Sequence, residues 1–123
     1  MKLLIERNLE VEKIKIFLTL FKLHKSYILL ISDQEDMGIG NVTLGSPSII
    51  KGVKSPTTSY NLFGMNSKLL STIITERASN ALKAPVLLLL FIKSKIKDEK
   101  IVKPIINFLN LILEEILEKN KSI

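Results

Sequence analysis

Three segments of this chain are apolar on both of the sides that a β-strand presents. In KIKIFLTLFKL, residues 13–23, Ile14, Ile16, Leu18 and Leu20 fall on one side, and Lys15, Phe17, Thr19 and Phe21 on the other. Residues 27–32 (YILLIS) and 85–92 (PVLLLLFI) are apolar at successive positions, as strands covered on both sides are. Such strands need cover above and below, and the rest of the chain offers only two substantial helices. Two helices cover about one face. Leaving side chains such as Phe17, Phe21 and Leu29 in water costs roughly 1.5–3 kcal/mol each. The second face therefore calls for a partner, and these three residues are the candidates for self-association.

The helices are read from spacing. Asn66 or Ser67 can cap one in which Leu70, Ile73, Ile74, Ala78, Ala81 and Leu82 share a side and Thr72, Glu76, Ser79 and Lys83 take the other. Pro85 ends it and opens the strand 85–92. A final helix follows Asp98 and Glu99, with Ile101, Ile105, Phe108, Leu109, Ile112 and Ile116 at helical intervals; Pro104 implies a start near it or a kink. Residues 14–23 and 27–32 form an antiparallel hairpin about the polar 24–26. Leu3–Arg7 is a weaker strand before it, and Asn41–Leu44 continues a meander after the turn at 33–40. Residues 46–61 form an extended loop that can include one edge strand.

The expected fold is thus α+β: an antiparallel β-sheet with two amphipathic helices on one face, the other face packed in a dimer. The alternative is that the 46–61 loop folds back over the open face and leaves a monomer. At 123 residues, 46% of them hydrophobic and with a mean hydropathy of +0.28, residues 1–123 make a single domain able to bury a core. The longest apolar run, Ala84–Ile92, is far short of the ~20 residues that cross a bilayer as a helix, so no membrane association is expected. Without cysteines, disulfides and thiolate metal sites are excluded, which fits a cytoplasmic protein.

The residues for catalysis are sparse. The one histidine, His24, falls in a hairpin turn, where it lacks the activated nucleophile and orienting group that acyl transfer needs. Asp33, Glu35 and Asp36 lie in a glycine-bounded turn without the spaced oxygens of a calcium loop, and Glu114, Glu115 and Glu118 read as surface charge. Gly38 and Gly40 precede a strand with no helix behind them, so they do not form a phosphate cradle. The expectation is a chain without enzymatic activity, cofactor or metal. An enzyme would require a deep pocket with convergent polar groups.

Net charge is +6 with a pI near 9.6, which permits nucleic acid or an acidic protein surface as partner. Lysines 93, 95, 97, 100 and 103, with Lys51 and Lys54, could meet phosphates. Aromatic content is only 6%, however, and most of the phenylalanines lie on strands or helices, so nucleic-acid binding is the second reading. For protein contact, the loop residues Lys51, Lys54 and Tyr60 are the partner-binding candidates.

The segments GIGNVTLGSP, NLFGMNSKLLSTIITERASNAL and APVLLLLFIK, followed by a terminal helix, resemble the small proteasome-assembly chaperones of the third and fourth eukaryotic types and their archaeal relatives. Gly40–Leu44, Leu62-Phe63-Gly64 and Pro85–Ile92 carry the likeness, which extends in pattern over residues 28–117. The resemblance implies a dimer of α+β subunits with packed sheets, either a homodimer or a heterodimer with a paralogue. It further implies that the dimer binds an α-type proteasome subunit while the ring assembles, without catalysis. Abundant Ile and Lys would suit an archaeal member. The chain ends Lys121-Ser122-Ile123, so the hydrophobic-Tyr-X tail of the first and second chaperone types is not carried over.

Overall fold

The computed structural model describes residues 1–48, 56–61, 68–94 and 98–121. Strands β1 (Lys2–Val11), β2 (Ile14–Leu23), β3 (Ser26–Ser32), β4 (Asn41–Gly45) and β5 (Thr57–Asn61) come first. Helix α1 (Lys68–Leu82), strand β6 (Val86–Phe91) and helix α2 (Asp98–Lys121) follow. The strands form one sheet in the order β1-β2-β3-β6-β4-β5. The fold is α+β, as the periodicity predicts.

The strand β1 is twice the length expected for it, because its second half, Asn8–Val11, pairs with β2 despite its charges. The first two hairpins turn in two residues: Glu12 and Lys13 (φ 50° and 66°) join β1 to β2, and His24-Lys25 joins β2 to β3. The expected meander from β3 into β4 does not form. The strand β6 lies between them, parallel to β3 and antiparallel to β4, and β5 closes the sheet beyond β4. A parallel partner needs a long crossover, and the β4-β5-α1 segment supplies it. Residues 57–61 thus extend the sheet edge rather than folding over its open face; residues 49–55 lie outside the described residues, as do Asn66 and Ser67, the expected caps of α1.

Both helices lie on one side of the sheet. Helix α1 packs on β4, β5 and β6, and α2 packs beside α1 and along β1. Between them and the sheet is a core of Ile16, Leu18, Leu20, Leu29, Ile31, Leu88 and Leu90 from the strands, Leu70 and Ile74 from α1, and Ile101, Ile105 and Leu109 from α2. The helix α2 begins at Asp98, so Pro104 sits inside it rather than at its start. Among the described residues no helix is long and apolar enough to cross a membrane.

The face of α1 that meets the sheet is less oily than its spacing implies. Ser79, expected among the solvent-facing residues, is fully buried with Ser71 and Thr75. The reason is close approach: a Cβ on Gly45 of β4 would stand 2.5 Å from Thr75 Cγ2, so only small side chains fit between helix and strand. The helix itself takes up their polarity, Thr75 Oγ1 donating to the Ser71 carbonyl (2.7 Å) and Ser79 Oγ to that of Glu76 (3.2 Å). Below them Thr43 Oγ1 donates to Asn41 Oδ1 (2.6 Å) and Asn41 Nδ2 to Ser59 Oγ (3.0 Å), so the buried hydroxyls and amide of β4 are paired.

Candidate functional site

The sheet's other face carries neither helix. Opposed residues of paired strands share a face, so the registers give its composition directly. One row runs Leu3, Phe21, Ile28, Leu87, Leu44, Thr58, and the next runs Glu6, Thr19, Leu30, Leu89, Val42, Tyr60. A third holds Asn8, Phe17, Ser32 and Phe91. From β2 to β4 the surface is almost wholly apolar. Most of these side chains are half-buried by one another, while Leu44 and Tyr60 are 51% and 64% exposed. Phe91 is covered locally: a Cβ on Gly38 would come within 2.7 Å of its ring, so the 33–40 turn lies flat on that end of the face.

Phe17 and Phe21 are both on this face. Leu29 is not: it points to the helices and is 1% exposed, and its neighbours Ile28 and Leu30 take the open positions. Only the end serines of β3, Ser26 and Ser32, fall with Ile28 and Leu30, and residues 28–31 are all apolar, so alternation among them cannot choose the side. The turn does so, because two residues between Leu23 and Ser26 place Leu29 opposite the core residue Leu20 and Ile28 opposite Phe21. Counting back from His24-Lys25 would have assigned the pair from sequence. Tyr60 belongs to the edge strand β5 rather than to a loop, while Lys51 and Lys54 lie outside the described residues. Val42, Leu44, Leu87 and Leu89 are members of the face that strand spacing alone did not single out.

At the end of the sheet the acidic turn is a structural device. Asp33 Oδ1 accepts from the Lys93 amide (2.9 Å) and Asp33 Oδ2 from the Ser94 amide (2.7 Å), while the Asp33 amide donates to the Phe91 carbonyl (3.2 Å). These bonds continue the β3–β6 ladder past its last rung. Burial raises the Asp33 pKa, but hydrogen bonds from the Ser94 hydroxyl, the Lys93 and Ser94 amides and Gln34 outweigh it and hold the carboxyl below 3.8. His24 is exposed in the β2–β3 turn. Lys15 and Lys93 place their ammonium groups 5.7 and 5.8 Å from the Phe17 and Phe91 ring centres, at two margins of the apolar face.

The fold matches that of a solved chain from a chaperone complex for yeast 20S proteasome assembly. The TM-score is 0.53 at 10% sequence identity, with 99% of this chain and 98% of that chain covered. No model of a protein family matches the sequence, and no curated protein matches it significantly.

Proposed function

We propose, from the fold shared with that yeast chaperone, that this chain is a non-catalytic subunit of the proteasome-assembly machinery. Its helix-free face pairs with a second copy or a paralogue, and the resulting dimer holds an α-type proteasome subunit. The observation that carries the proposal is the apolar face itself, continuous over β2, β3, β6 and β4 and edged by Leu44 and Tyr60. An apolar surface of this extent, formed by a rigid sheet, is what an obligate interface requires. Phe17 and Phe21 act in self-association, and Tyr60, with Lys51 and Lys54, in client contact.

The test is recovery of partners from the native cytosol under low-salt conditions that preserve weak complexes. Enrichment of proteasome α subunits with the tagged chain supports the proposal; recovery of the chain without any proteasome subunit overturns it. Nucleic acid fits this face less well, since single-strand binding needs aromatic surfaces free to stack and Lys15 and Lys93 already stand over Phe17 and Phe91. Submicromolar, steeply salt-dependent binding to random RNA would reverse that preference.

A further inference from the structure

The outer edge of β1 is bordered by a groove of about 420 Å³, lined by Leu9, Glu10, Val11 and Glu12 of the strand and first turn and by Pro104, Phe108 and Leu111 of α2 among others. Successive strand residues point to opposite faces, so a groove that touches four in a row runs along the strand's edge. From α2 it receives one stripe, and Leu111 at its margin is 65% exposed. The two-residue turn fixes which backbone groups are free. Val11 and Ile14 flank it and bond to each other, so Leu9–Ile16 and Arg7–Leu18 are the hydrogen-bonded pairs, and the amides and carbonyls of Glu6, Asn8 and Glu10 face outward; the Glu6 carbonyl accepts from Arg7 Nη1 (3.0 Å), which leaves those of Asn8 and Glu10 open among the described residues.

We propose that this edge takes up an extended segment of a different protein in which apolar residues alternate with lysine or arginine. Added beside β1, such a segment bonds to the free groups of Asn8 and Glu10. Its apolar side chains enter the space beneath Phe108 and Leu111, and its basic ones fall on the opposite side, next to the column Glu6, Asn8, Glu10. The inner edge of β1 already obeys this rule, with Lys15 opposite Glu10 and Ile16 opposite Leu9. A second copy of β1 is a poor occupant. Over the regular part of the strand it offers Glu6, Asn8 and Glu10 again on that column, so carboxylates meet carboxylates or an amide. The other half of the edge is closed by an irregularity between Leu3 and Ile5 and by Arg7, which turns toward α2 and pairs with Glu115 at 3.0 Å.

The experiment titrates the isotopically labelled full chain with capped heptapeptides of alternating lysine and valine, of alternating glutamate and valine, and with a shuffled lysine-valine control. The lysine-valine peptide is expected to shift the amide signals of residues 8–12 and 100–111 and to bind at least about tenfold more tightly than the other two. Leu111→Glu, at an exposed position, is expected to weaken it about tenfold, and Glu10→Lys to move the preference to the glutamate-valine peptide. Equal binding of all three peptides, shifts centred on the open sheet face or on β5, or indifference to Leu111→Glu would each overturn the assignment. None of these outcomes depends on whether proteasome subunits are the clients of the open face.

Discussion

Asp33 is 8% exposed and stands where the parallel strands β3 and β6 end. Its two oxygens take up backbone amides that the sheet no longer pairs, and charged acceptors make such bonds about twice as strong as neutral ones. Replacing it by alanine leaves two part-buried amides without their acceptor, so Asp33→Ala should lower stability by about 1–3 kcal/mol at neutral pH in urea unfolding. The pH dependence has a definite sign. Because the folded carboxyl titrates below 3.8, its contribution is complete above that value and is lost as pH falls through the lower folded one. A pH series should therefore show the wild-type midpoint falling toward that of Asp33→Ala below pH 3.8, and the two remaining parallel above it.

At the scale of elements, the contact between α1 and β4 is set by what is small. A methyl on Gly45 has no free space, and the β-branched Thr75 that blocks it cannot swing aside. Gly45→Ala should cost about 1–3 kcal/mol by overpacking, and Thr75→Ser, which removes the obstructing methyl, should recover most of that loss in the double variant. This contact also marks where the sequence was legible. Strands with alternating or continuous apolar residues and helices with recurring Ile and Leu were readable, because burial imposes those periods. Ser71, Thr75 and Ser79 were not, since hydroxyls at helical spacing look like a solvated side until Gly45 is known to lie beneath them. The place of β4 was hidden for a different reason. Neighbours in sequence usually pair, whereas here the wholly apolar β6 stands between β3 and β4. The helix-free face was legible as a deficit of cover, and the wrong side chosen for Leu29 reflects a strand whose four middle residues, Ile28, Leu29, Leu30 and Ile31, are all apolar.

The molecule as a whole places both helices on one side and leaves the other apolar. Under the proposed pairing, folding stability is inseparable from association, so the thermal midpoint should rise with protein concentration. Leu89 lies in the middle of the face, between Leu30 and Val42. Leu89→Asp should abolish the concentration dependence and give the mass of a single chain by light scattering. A wild-type midpoint independent of concentration, with a single-chain mass at micromolar levels, would remove the second copy from the proposal.

The strand β6 joins two halves of the sheet that have no other ladder in common: β1, β2 and β3 on one side, β4 and β5 on the other. During synthesis the first five strands all leave the ribosome before residues 86–91 do. Until then the hairpin of Asn41–Gly45 with Thr57–Asn61 has no strand to dock on, and Ser26–Ser32 keeps one margin unpaired. A nascent chain halted before Val86 should therefore remain open to proteases across β4 and β5, and gain resistance in a single step once Phe91 has emerged.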